Sequence, residues 1–464
     1  MLFRSRLERR LDAEAAAAFL ILQCIPGDRT LVEGITILPP ATVLVFEPGR
    51  GARLDCASPL RYRPRRDPDH ARTIARALQD AAARLAADDR RIGLPLSGGL
   101  DSRTLLAALA RRPLETVTYG QPGSDDLRLG SRLAALAGTS HHEIPLVPGY
   151  IAATAATMVA RTDGMHSCLN AHAAALAEAG RWCDVILLGN GGDCLLDGLW
   201  NGAPDASPRE MTVRLLPKLA LGATPRLADA LVAPDGPLAD ASARAAATVE
   251  TLLAASDGDT AADRADAFNV VHRHRRWVLQ GVPAQATHVE FRHPYYDAAV
   301  VEAALAVPAE LRVDRRAHVD ALRLLSPALA RVRRQGKPFG FSVPAWRWRV
   351  HVAAGRVRDA VRWRATRAGL NPFLARPRRS SFADYDTELR RGSRPLLDDV
   401  VLAPATLDRG WFRPDAVRRL VREHLAGRAN HAAALGVLLT LELFAREHLA
   451  PAREAPAPRL LRSA

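Results

Sequence analysis

The sequence predicts an α/β protein: a parallel sheet with helices on both faces, followed by a mainly helical C-terminal part and preceded by a small β-rich N-terminal segment. Three observations lead there. Short apolar runs alternate with helical patterns from about residue 92 to residue 188, which is how βαβ units read. The first run, Ile92-Gly93-Leu94-Pro95-Leu96, leads straight into Ser97-Gly98-Gly99-Leu100-Asp101-Ser102 and then into the amphipathic stretch Arg103–Leu109, giving a strand, a glycine turn and a helix start. Beyond about residue 205 the strand signal fades, and Ala-, Leu- and Arg-rich helical patterns run to the end.

Each element follows from local chemistry. Residues 1–66 begin with a helix-like pattern and continue with the strand-like Thr42–Phe46 among many prolines and glycines, so short strands and turns are expected. Arg65–Pro68 reads as a linker and Ala71–Ala87 has helical spacing, so a second domain is placed at 67–464. Strands are expected at Leu114–Tyr119, His142–Leu146 and Val185–Leu188, and helices at Asp125–Leu136 and Ala171–Ala179. Ala241–Ala255 is low in complexity and reads as a surface helix. Ligands of parallel sheets bind beyond the carboxyl ends of the strands, so the turn at Ser97 and the loop Gly189–Asp193 should face one crevice.

Composition narrows the function classes. With 464 residues, 48% apolar and 25% charged, the chain has the make-up of a soluble globular protein. No apolar run reaches the roughly 18 residues of a membrane span. The longest, Ala15–Cys24, is interrupted by Gln23, followed by Pro26 and lacks the order of a signal peptide, so a cytoplasmic location and no membrane partner are expected. The net charge of +14 comes from 64 basic residues, of which only Lys218 and Lys337 are lysine. Arginine is spread along the whole chain without a basic block interleaved with aromatics, so no nucleic-acid partner is expected. The five cysteines form no Cys-x-x-Cys pair, which points to free thiols and not to a disulfide framework or a zinc site. His272 and His274, two apart, would fall on different faces of a helix and are given no metal role.

The glycine turn carries the chemistry. Adjacent Gly98 and Gly99 let backbone N–H groups approach an anion, and the helix start adds partial positive charge, so the turn suits phosphate. It lacks the lysine of the Gly-x4-Gly-Lys-Ser/Thr loop, which argues against an ordinary nucleoside triphosphatase. The string resembles the PP-loop of ATP pyrophosphatases, a family that splits ATP between the α and β phosphates and activates a carbonyl as its adenylate. Further blocks follow in order: Pro122–Leu127, His141-His142-Glu143-Ile144, Leu188–Asp193, Phe291–Asp297 and Gly336–Pro344. Together they resemble the synthetase domain of asparagine synthetases across most of residues 70–450.

That resemblance implies ATP and Mg²⁺ as cofactors. It implies Asp101 and Asp193 as the metal-holding carboxylates, and Ser97, Gly98, Gly99, Asp101 and Ser102 as the cradle of the triphosphate. Leu96, Tyr119 and Gly189 match the positions that contact adenine and ribose. Lys337 lies in the block similar to the family's lysine loop, where an ammonium would stabilise charge on the α phosphate. Asp101, Asp193 and Lys337 are therefore the catalytic candidates.

The sequence departs from asparagine synthetase in two places. It starts Met1-Leu2-Phe3 with no Cys before Cys24, and Phe19–Tyr62 resembles only the last part of the amide-hydrolysing domain. Residues 1–66 are thus expected to be a truncated remnant of an amidotransferase-like domain. The second departure is Asn190, where asparagine synthetases carry a Glu thought to handle the proton of ammonia, and an amide is no base at neutral pH. The form Gly-x-Gly-Gly-Asp, with Thr162–His166 and Arg273–Trp277, is most similar to lasso peptide cyclases. Three readings stand: a macrolactam-forming cyclase, an asparagine or β-lactam synthetase-like enzyme on a small molecule, and a catalytically silent binding subunit. Intact Asp101, Asp193 and Lys337 weigh against silence. The expected partners are a peptide or small-molecule carboxylate substrate and, on the first reading, a precursor peptide with leader-processing proteins.

Overall fold

The structure is a computed structural model describing residues 9–449, apart from 57–59, 67–68, 110–111, 286–288 and most of 345–381. An antiparallel hairpin, β1 (Thr42–Glu47) and β2 (Gly51–Cys56), stands on its own. Five further strands, β3 (Ile92–Pro95), β4 (Glu115–Gly120), β5 (Ser140–Pro145), β6 (Val185–Leu187) and β7 (Glu290–Arg292), form one parallel sheet in the order β5-β4-β3-β6-β7. The chain runs outward from β3 through β4 to β5, then returns to place β6 on the other side of β3. This reversal opens a crevice between the carboxyl ends of β3 and β6, where doubly wound sheets bind ligands. The α/β expectation and the helical C-terminal part hold. Strand β7 lies in the region expected to be free of strands, because three residues are too few to show a period.

Both faces of the sheet are covered, and β6 shows how. Val185 and Leu187 face a core that also contains residues of α2 (His70–Leu85) and α3 (Asp101–Leu109), whereas Ile186 and Leu188 face a second core with Leu176 and Ala179. Period-two alternation with apolar residues on both sides is the mark of a strand buried on both faces. The helix expected at Ala171–Ala179 lies within a 3₁₀-helix, Cys168–Arg181, capped by Ser167. Helix α4 (Asp125–Ala137) starts at Ser124, whose side chain accepts from the Leu127 N–H, and ends at Gly138.

The N-terminal helix Ala13–Leu22, α1, does not stand apart from the rest. Its residues Ala15–Leu22 are all buried, in one core with the helices Ala241–Ala255 and Ala432–Phe444. Such all-round burial explains why this helix is apolar on every side. Ala241–Ala255 is thus only half a surface helix, since Ala241, Ala245, Val249 and Leu253 line the same core. By contrast the β1–β2 hairpin leaves Val43, Leu44, Phe46 and Leu54 exposed. Among the described residues no helix is long and apolar enough to cross a membrane.

Candidate active site

Strand β3 is carried one residue further by two bonds from β4. The Leu96 N–H donates to the Val117 carbonyl over 2.8 Å, and the Leu96 carbonyl accepts from Thr118 Oγ1 over 2.9 Å. The chain then turns through Ser97–Leu100 into α3 at Asp101. Within the turn the Ser97 N–H donates to Ser102 Oγ, the Gly99 N–H donates to Ser97 Oγ, and the two hydroxyls lie 3.2 Å apart. These donors are held by rotatable hydroxyls, which can exchange partners at little cost when an anion arrives.

The Gly98 N–H is held more firmly. It donates to Oδ1 of Asp126 at the start of α4 over 2.9 Å, and Oδ2 of the same carboxylate accepts from the Gln335 side chain. Next to it, Asp125 accepts from Arg333 and from the Gly336 N–H at 3.0 Å, and the Arg333 contact holds its carboxyl well below the usual range. The two aspartates thus fasten the loop carrying Lys337 to the glycine turn. Arg103, fully buried, completes the clamp by donating to the carbonyls of Gly98, Leu329, Val332 and Arg333. Gly98 is required sterically, since a Cβ there would come within 2.6 Å of Leu129 Cδ1 and 2.9 Å of Gln335 Cβ.

From the far side of the crevice, the loop after β6 brings in Gly189, Asn190, Gly191 and the short helix α5 (Gly192–Leu195). The Asp193 N–H donates to Asp101 Oδ2 over 3.0 Å. Gly192 permits this approach, because a Cβ there would lie 2.8 Å from the Asp101 carboxyl carbon. Behind Asp101, Tyr295 donates to its carbonyl, while His318 lies 3.8 Å and Arg315 4.0 Å from Oδ1. Burial, then the Asp193 charge, push Asp101 up to about 8, against the lowering influence of Arg315. Its Oδ1 is buried with no hydrogen-bond partner. A partnerless carboxylate oxygen beside a second aspartate is a donor set for a hard divalent cation, so the residues present fit magnesium.

The two expected metal-holding residues, the cradle residues and Gly189 therefore meet in one crevice. A Cβ on Gly189 would come within 3.1 Å of the Ser102 nitrogen. Tyr119, at the end of β4, is half-buried with its ring stacked on His172 at 5.8 Å. Lys337 sits two residues beyond Gln335, and its own N–H donates to the Arg334 carbonyl.

Other residues of the site were not singled out from sequence. Asp125 and Asp126 stood inside a family-like block with no role attached, and Arg103 looked like one arginine of many. His274 was set aside on spacing, yet its Nδ1 lies 3.8 Å from Asp193 Oδ1. The spacing reading concerned a His272–His274 pair, and the two do not come together; His274 meets Asp193, a partner far away in sequence, which spacing within one helix does not reveal. Burial holds the His274 imidazole below its usual range, partly offset by Asp193.

Comparison with known proteins agrees with this geometry. A family profile described as asparagine synthase matches residues 73–446. Over 78 residues the chain is 40% identical to the glutamine-hydrolysing asparagine synthetase of Cricetulus griseus, a stretch covering 15% of this chain and 14% of that protein. Over 64 residues it is 41% identical to the same enzyme of Mus musculus, covering 12% and 11% respectively. These alignments span well under two thirds of either relative. With the profile covering most of its length, the chain belongs to the asparagine synthase family of ATP-dependent ligases.

Proposed function

We propose that the protein is an AMP-forming amide ligase that closes a macrolactam in a lasso-type peptide. The observation that carries the ligase reading is the junction of Asp101 and Asp193 at the switch point of the sheet, with the glycine turn and the Lys337 loop fastened together through Asp126. A substrate carboxylate oxygen attacks the α phosphorus, the bond to the β phosphate breaks, and pyrophosphate leaves. The amine then attacks the acyl carbon, a proton is lost to solvent, and AMP leaves. Magnesium bound to Asp101 and Asp193 would neutralise the departing pyrophosphate. Ser97 and Ser102 supply hydroxyls to the phosphate oxygens, and Lys337 supplies a compact cation for charge building on the α phosphate. Buried Arg103 and the Asp125–Asp126 pair keep these groups in register without touching substrate.

Asn190 supports the peptide acceptor. It stands on the loop carrying Asp193 and offers only an amide, so it cannot take a proton from ammonium. The test is isotope exchange between ATP and pyrophosphate, with product chromatography. Exchange dependent on a carboxylate, with AMP and not ADP formed, is the expected result; ADP and phosphate would overturn the adenylation reading. Small-molecule amidation, as by the asparagine synthetases it resembles, is the second reading.

A further inference from the structure

Asp193, Cys194 and His274 bring a carboxylate oxygen, a thiol sulfur and a ring nitrogen within 4.8 Å of one another. They converge from two elements. Asp193 and Cys194 lie in α5, and His274 closes the π-helical turn Asn269–His274. Cys194 and His274 are buried, while Asp193 is about half exposed and leaves a path from solvent.

The separations suit a tetrahedral ion. Bonds of about 2.0–2.3 Å place neighbouring donors roughly 3.3–3.8 Å apart around such a centre. His274 Nδ1 and Asp193 Oδ1, at 3.8 Å, are already at that spacing. From the 4.8 Å limit, the remaining closure for sulfur is at most about 1.0–1.5 Å. The donors also discriminate: thiolate with imidazole is a soft set that magnesium does not take and zinc does. Around the sulfur, the Gly191 carbonyl lies at 3.2 Å and the Tyr296 hydroxyl at 3.7 Å, where the phenol can donate to a thiolate.

We propose that Asp193, Cys194 and His274 form a site for a soft divalent cation of the zinc type, which inhibits the ligase by drawing Asp193 away from magnesium. On binding, the cation bonds to sulfur, nitrogen and oxygen, the thiol proton passes to solvent, and no redox change occurs. The inhibitory consequence rests on the reading of Asp193 as a magnesium ligand; the binding does not.

The probe is Co²⁺ alone, titrated into the full chain carrying Cys56→Ala to remove the exposed hairpin thiol. Tetrahedral ligand-field bands and a sulfur-to-cobalt charge-transfer band are expected, both displaced by Zn²⁺. The charge-transfer band should vanish in Cys194→Ala, and affinity should fall at least about tenfold in His274→Ala. Absence of that band, or its persistence unchanged in both variants, overturns the site. Should Cys194→Ala not fold, the His274→Ala comparison decides alone. Zinc at a concentration that fills the site should suppress ATP–pyrophosphate exchange, with relief by added magnesium. Exchange unaffected by a filled site overturns the inhibitory half. A total lack of exchange without zinc would count against the ligase reading, leaving the cobalt result to decide the site.

Discussion

The Asp193 N–H donates to Asp101 Oδ2 over 3.0 Å, tying together two aspartates whose side chains repel. Folded Asp101 keeps its proton up to about pH 8, against an ordinary value of 3.8. Between those values the folded state binds a proton that the unfolded chain has released. Stability of the metal-free protein therefore falls as pH rises across that window. Asp101→Asn retains an acceptor for the Asp193 N–H and removes the charge. It should raise Tm at pH 8, leave it nearly unchanged at pH 4, and cut ATP–pyrophosphate exchange by about 10²–10³-fold. Calorimetry at the two pH values checks the first part, and a lower Tm at pH 8 would refute it.

Gly98→Ala tests the junction of the two loops. Its methyl would press on Leu129 Cδ1 and Gln335 Cβ, so the Lys337 loop must shift. A loss of about 1–3 kcal/mol in urea unfolding is expected from overpacking, together with a raised KM for ATP. An unchanged KM would mean that the loops act independently.

Lys337→Met should lower the rate of adenylation about 10²-fold with little change in KM for ATP, because the ammonium is needed mainly for charge in the transition state. Lys337→Arg should restore only part of the rate, since a planar guanidinium does not reproduce a compact point charge. Equal rates for Lys337→Met and the unaltered protein would remove Lys337 from the chemistry.

What could be read from the sequence had a short period or a compact string. Strands β3 to β6 and the turn Ser97–Ser102 show themselves within a few residues, and β6 keeps its pattern on both faces. Contacts made at long range did not. Asp126 becomes informative only when the fold sets Gly98 and Gln335 on its two oxygens, 28 and 209 residues away. His274 is in the same position, because its neighbour in the site, Asp193, lies on a different element far back along the chain. Helix α1 looked like part of a separate N-terminal segment because its partners, the helices Ala241–Ala255 and Ala432–Phe444, lie far along the chain.

The burial of α1 makes the N-terminal segment a structural element of the C-terminal helical part. Arg276 strengthens the tie by donating to the carbonyls of Ile25 and Arg29 from the helical segment that carries His274. Phe19, fully buried, should cost about 3–5 kcal/mol when changed to Ala. Denaturant unfolding measures this; a loss below about 1 kcal/mol would mean that α1 is dispensable to the core.

The acceptor is expected to be an amine tethered on the same peptide as the activated carboxylate. Asn190 cannot deprotonate an ammonium ion, so free ammonia would have to arrive already neutral, a minor species at neutral pH. A precursor that holds its own amino terminus near the adenylate replaces base strength with effective molarity, worth roughly 7–11 kcal/mol in well-oriented systems. Incubating a candidate precursor with the protein, ATP and Mg²⁺ should give a product lighter by one water, and Asn190→Glu should not be needed for it. If free aspartate is instead converted to asparagine with ammonia, and no dehydrated peptide forms, the small-molecule reading replaces the peptide one.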